Sequence, residues 1–125
     1  MILVDSTVWI DHLRAGDNAL IALLEVGAIA THPFVIGEIA LGHLRQRSLV
    51  LHTLSKLPQI MVAADAEVLA FIEAQNLVGL GIGYIDAHLL AATQLIAGTA
   101  LWTRDKRLHR IAATLGLAMR SHKSS

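Results

Sequence analysis

Short apolar runs alternate with helix-length amphipathic segments along this chain, and that alternation restricts the fold more than any other feature. Ile2 to Val4 is apolar and ends at Asp5, residues 28 to 31 form a second run, and Ala100 to Thr103 a third. Runs this short read as strands buried on both faces. Ser6 or Thr7 can cap the helix that follows the first run, with Val8, Trp9, Ile10 and Leu13 as its stripe and Gly16 as its stop. A second helix reaches Leu24, and Pro33 suits the first turn of a third. An amphipathic segment spans roughly 46 to 57, Pro58 breaks it, and Gln59 to Val62 reads as another strand. Helices are expected over Asp65 to Asn76, Tyr84 to Ala97 and Arg104 to Leu115, with Gly116 ending the last. A strand at 117 to 119 and a polar tail from about 120 complete the chain. Strands alternating with helices imply the α/β class, a mostly parallel sheet covered on both faces. At 125 residues, positions 1 to 125 read as a single domain.

One carboxylate conflicts with its surroundings. In FVIGEIALG, Glu38 shares its helix face with Phe34, Val35, Leu41 and Gly42, none of them cationic. A buried carboxylate loses several kcal/mol of solvation unless a partner compensates it. Three other acids are similarly placed. Asp5 ends a buried strand, Asp86 lies in IGYIDAHLL beside Ile82, Gly83, Leu89 and Leu90, and Asp105 follows ALWT by two residues. Asp5, Asp86 and Asp105 also suit helix N-termini, where a carboxylate caps free N–H groups and favours the macrodipole. Glu38, in mid-helix, has no such explanation. Asp17, Glu25, Asp65, Glu67 and Glu73 sit at turns, helix starts or polar faces and read as ordinary surface residues.

Four anions brought together in a low-dielectric site require a cation. Oxygen-only ligands favour Mg²⁺ or Mn²⁺, which a few carboxylates hold while water and substrate phosphate complete the shell. Such a site can activate water against a phosphodiester. The seven histidines offer no metal-ligand pair on one helical face and read as surface or core residues, while Trp9 and Trp102 read as core. GLGIG before Tyr84 lacks the third glycine and the preceding strand of a dinucleotide loop, so it reads as a hinge. Aspartate-based phosphotransfer domains do not fit: Thr7 stands where a phosphatase of that type would carry its second aspartate, and ALWT has no terminal lysine.

Composition narrows the class further. Only 16% of residues are charged, against roughly 25% in an average soluble domain, while 54% are hydrophobic, so apolar surface remains for a homodimer or bound partner to cover. No apolar run reaches the roughly 18 residues of a membrane span, and MILVDST lacks the basic flank of a signal peptide, which makes a cytoplasmic protein the expectation. The absence of cysteine excludes disulfides and thiolate chemistry. Net charge is zero, yet Arg104, Lys106, Arg107, Arg110, Arg120 and Lys123 all lie from position 104 onward, with Asp105 the only acid among them.

MILVDSTVWIDHL, FVIGEIALG, GIGYIDAHLLAAT and ALWTRDKRLHRIA resemble, in order, the motifs of the PIN-domain ribonucleases, specifically the VapC toxins of prokaryotic toxin-antitoxin modules. The resemblance runs from the first residue to about Leu117. It implies a three-layer α/β/α sandwich, with Asp5, Glu38, Asp86 and Asp105 as catalytic residues coordinating Mg²⁺ or Mn²⁺ and Ser6 and Thr103 supporting them. It also implies an endoribonuclease that usually dimerises and is inhibited by a VapB antitoxin whose C-terminal segment wraps the toxin. Asp11 fits the first motif but lies six residues beyond Asp5, so a supporting or surface role is expected. Arg104, Lys106, Arg107 and Arg110 flank Asp105 and are the candidates for holding RNA phosphates, with Arg45 and Arg47 as weaker ones. The alternative is a non-catalytic protein- or RNA-binding module with the same fold.

Overall fold

Residues 1–120 are described in a computed structural model; residues 121–125, holding Lys123 and most of the expected polar tail, lie outside them. The sheet is built on β1 (Ile2–Val4), flanked by β2 (Ile29–Ala30) and β3 (Ala100–Trp102) in the order β2-β1-β3, all parallel. Leu3 stands opposite Ala30 on one side and Leu101 on the other. Leu3 and Val4 point to opposite faces and neither is exposed, so the sheet is covered on both sides as the unbroken apolar runs require.

Two expected strands shrink to single bridges. Gln59 pairs in parallel with Thr31, but Pro33 starts a helix two residues after Thr31, leaving residues 60 to 62 no strand to continue against. At the other edge Ala118 bridges Leu101, through Leu101 N–H to Leu117 O at 2.7 Å and Met119 N–H to Leu101 O at 2.8 Å. β1 matches its apolar run, while β2 is two residues shorter than the run 28 to 31 and β3 one residue shorter than Ala100 to Thr103.

Seven helices surround the sheet among the described residues: α1 (Ser6–Ala15), α2 (Asn18–Glu25), α3 (Pro33–Ala40), α4 (Arg47–Lys56), α5 (Asp65–Ala74), α6 (Tyr84–Leu95) and α7 (Lys106–Thr114). Local chemistry sets several of their ends. Asp5, and not Ser6 or Thr7, is the N-cap of α1: its carboxylate accepts from Ser6 N–H, and the Thr7 hydroxyl donates to it. Asp17 caps α2, and His32 caps α3 through Nδ1, with Pro33 at the first helical position. Asp105 caps α7, so that helix begins at Lys106, two residues later than its periodicity predicts. α6 ends at Leu95, two residues before the predicted Ala97.

α6 is the central helix. Every residue from Ala87 to Thr93 is buried, between β3 on one side and α5 on the other, as expected of a helix apolar nearly all round. His88 and His32 are fully buried, in line with a core reading, and they stack edge-on against Phe34, with Tyr84 also against His88. Burial pushes the His32 imidazole down to about 4, with the nearby His88 adding to the effect. His88 Nε2 lies 3.4 Å from Asp65 Oδ1 without the alignment of a hydrogen bond; the partner Asp65 accepts from is Tyr84 Oη, at 3.0 Å. Trp9 is core as expected, whereas Trp102 is only half-buried and carries the Arg104 guanidinium 6.0 Å from its ring centre. No helix among the described residues is long and apolar enough to cross a membrane.

Candidate active site

The carboxyl ends of β1 and β3 and the starts of α6 and α7 meet on one side of the sheet, where parallel α/β folds bind ligands. Asp5 is the centre of the group and is 3% exposed. Its Oδ1 accepts from Ser6 N–H at 2.7 Å, and its Oδ2 accepts from Thr7 Oγ1 at 2.9 Å and Thr103 Oγ1 at 2.7 Å. Each threonine hydroxyl is fully used: Thr7 Oγ1 also accepts from Arg104 N–H at 3.0 Å and Thr103 Oγ1 from Asp105 N–H at 3.1 Å. With both protons committed to Asp5, the 3.3 Å approach of the two hydroxyls is a contact between oxygens. Thr7 was visible in the sequence as a possible cap; its support of Asp5 was missed, although a hydroxyl two residues beyond an N-cap carboxylate is a recognisable local pattern.

Ser6 ties the first acid to the second. Its Oγ donates to Glu38 Oε1 at 3.2 Å and lies 3.4 Å from Asp5 Oδ1, so its one proton favours Glu38. Asp86 Oδ2 accepts weakly from Gly83 N–H at 3.4 Å, and Asp105 Oδ1 accepts from Leu108 N–H at 3.0 Å. Among the described residues, no basic side chain hydrogen-bonds to any of the four.

Glu38 and Asp86 are both held above the usual carboxylate range. Burial raises the Glu38 pKa above the usual glutamate value, Asp5 and Asp86 raise it further, and the Ser6 hydrogen bond offsets part of the rise. Burial also raises Asp86, with further repulsion from Asp5 and Asp105 and a partial offset from the Gly83 N–H. Yet no three acid or histidine side chains among the described residues already form a cluster that could hold a metal.

These shifts set a pH dependence. A carboxyl with a raised folded pKa binds more protons folded than unfolded, so metal-free stability falls as pH rises through the folded values of Glu38 and Asp86. His32 acts oppositely, losing stability as pH falls from its unfolded value toward about 4. A Glu38→Gln/Asp86→Asn variant isolates the first effect: in denaturant melts with EDTA it is expected to exceed wild type by on the order of 1 kcal/mol at neutral pH, screening by solvent included, and to lose that advantage below about pH 4. An advantage independent of pH would assign the gain to packing.

The basic residues divide into occupied and free. Arg104 donates to Asp11 Oδ2 at 2.6 Å and also pairs with Asp17, strapping the α1–α2 turn to the β3–α7 turn. Asp11 is thus a partner of Arg104, with its side chain 47% exposed. Lys106 and Arg110 line a depression with Thr103, and Arg107 lies over Gly81 of the GLGIG loop. Gly81 has φ +81°, so the loop needs glycine there for its backbone, and Arg107 Nη1 donates weakly to Gly81 O at 3.5 Å.

A parallel sheet with acids gathered at its carboxyl end defines a PIN domain: that family's model matches residues 2–114, and the chain belongs to the PIN-domain family. Within the family it stands with the VapC proteins. It is 47% identical over 119 residues, 95% of this chain and 96% of the relative, to Ribonuclease VapC32 of Mycobacterium tuberculosis, in both strain CDC 1551 / Oshkosh and strain ATCC 25618 / H37Rv. The crystal structure of PAE2754 from Pyrobaculum aerophilum shares the fold, with a TM-score of 0.64 at 17% identity over 91% of this chain and 90% of that one.

Proposed function

We propose that the protein is a VapC toxin, a Mg²⁺- or Mn²⁺-dependent endoribonuclease of the cytoplasm that hydrolyses RNA phosphodiester bonds and is silenced by a VapB antitoxin. The observation that carries the reading is the convergence of Asp5, Glu38, Asp86 and Asp105, two of them with raised pKa and none with a basic partner among the described residues. An all-carboxylate donor set suits a hard divalent cation, and the named relative is a ribonuclease.

Asp5, Glu38, Asp86 and Asp105 would hold the ion, which supplies Lewis-acid activation of the attacking water and neutralises charge on the scissile phosphate. Asp5 is the fixed member, because three hydrogen bonds deny its carboxylate other rotamers. Ser6 sets Glu38 relative to Asp5. Glu38 and Asp86, whose carboxylates are raised by burial and by the neighbouring acids in the metal-free site, gain the most from a cation's charge. Lys106, Arg107 and Arg110 hold RNA phosphates beside Asp105, while Arg104 acts mainly as the strap that places Asp105's turn. A homodimer and the antitoxin would cover exposed apolar residues such as Val26, Leu41, Met61 and Val78.

Purified, antitoxin-free protein incubated with total cellular RNA is expected to produce discrete cuts with Mg²⁺ or Mn²⁺ and none with EDTA, and to elute as a dimer on a sizing column. Cuts that persist in EDTA would remove the metal-dependent reading, and a lone monomer peak the dimer.

A further inference from the structure

The strand order puts Glu38 and Asp105 on opposite flanks of Asp5. Glu38 follows β2 on one side of β1, and Asp105 follows β3 on the other. The α7 bases therefore serve the β3 flank, and an RNA strand crossing the acidic centre must also leave over the β2 flank.

On that flank a cavity of about 750 Å³ opens beside Glu38, between Ile10, Leu13 and Arg14 of α1 and Arg45 and Val50 around the α3–α4 turn. Its volume lies in the range of ligand pockets, roughly 300–1,000 Å³, and far exceeds what one ion needs. Among the described residues, Glu38 is the only acid lining it. Arg14 and Arg45 are exposed, and neither has a hydrogen-bond or ion-pair partner among the described residues. Arg47 differs: its guanidinium donates to Gly42 O at 3.1 Å and to Ala40 O, closing the end of α3. From residue 39 to residue 64 the chain carries no Asp or Glu, so on the outer wall Arg45 faces no local anion.

We propose that this groove binds the RNA strand on the side of the scissile phosphodiester away from α7. Arg14 and Arg45 take phosphates, and Ile10, Leu13 and Val50 take the face of a base. Free guanidinium groups above apolar walls match a single nucleic-acid strand, whose phosphates need cations and whose bases present flat faces. The proposal rests on the endoribonuclease reading.

The test is fluorescence anisotropy of a labelled, mixed-sequence single-stranded RNA dodecamer at several NaCl concentrations. An Asp86→Asn background keeps the RNA from being cut. Adding Arg14→Ala/Arg45→Ala is expected to weaken binding about tenfold or more and to lower the slope of log affinity against log salt by roughly 1.4, two single-strand phosphate contacts. Arg14→Lys/Arg45→Lys, which keeps the charges, is expected to restore most of that slope. In the otherwise wild-type enzyme the alanine pair is expected to raise KM for RNA more than it lowers kcat. Thermal melts check folding, and if the alanine pair fails to fold, Arg14→Gln/Arg45→Gln replaces it. Unchanged affinity and slope overturn the groove assignment while leaving the ribonuclease reading intact, as does a loss of antitoxin binding with RNA binding retained. If the Asp86→Asn parent binds no RNA and the wild type cuts none, both readings fall together.

Discussion

Asp86→Asn is expected to reduce RNA cleavage by on the order of 10³-fold while leaving the metal-free protein at least as stable as wild type. The two effects have one cause. Asp86 is half-buried near Asp5 and Asp105, and among the described residues its carboxylate accepts only the long 3.4 Å bond from Gly83 N–H. Asparagine keeps the side-chain shape and that acceptor oxygen, and removes the charge. Repulsion in the metal-free site then falls, and so does affinity for the cation. Mg²⁺ should raise the melting temperature of wild type and barely move that of the variant, since ligand binding stabilises only in proportion to occupancy. Cleavage at the wild-type rate would show that Asp86 does not act in the site.

Asp5→Ala should also abolish cleavage, but with a stability change of opposite sign. Here the carboxylate is 3% exposed and accepts from Ser6 N–H, Thr7 Oγ1 and Thr103 Oγ1. Removing it leaves those donors without their acceptor and strips α1 of its N-cap. Unsatisfied buried donors cost about 1–3 kcal/mol each when water cannot reach them, and a lost cap about 1 kcal/mol. Because hydroxyls can reorient and the site is open on one side, a total of about 3 kcal/mol is expected, read by urea denaturation in EDTA. Equal stability of the Asp5→Ala and Asp86→Asn proteins would refute the division of the acids into one anchored member and two repelled ones.

That division was not available from the sequence. Glu38 and Asp86 stood out there for their apolar neighbours and Asp5 and Asp105 for their places after strands, and Asp5 was read beside Ser6 and Thr7 as alternative caps. The hydrogen bond from Thr103 to Asp5 spans 98 positions, and the one from Ser6 to Glu38 spans 32. No local pattern encodes either. Arg104 illustrates the same limit. Its neighbours in sequence made it a phosphate ligand like Lys106 and Arg107, but Asp11 and Asp17, brought beside it by the α1–α2 turn, occupy its guanidinium.

The sequence by itself determined what acts over a few residues: the short buried strands, most helix boundaries, Pro33 at the start of α3, and which four acids stood out as candidates. Periodicity, capping and burial are local preferences, so they are legible locally. Only the tertiary structure decided which of those acids is anchored and which are repelled, which arginines are free, and that a groove with free arginines lies across from α7. Hydrogen-bond supply and electrostatic repulsion depend on distances through space, and those distances exist only once β1, β2 and β3 have paired.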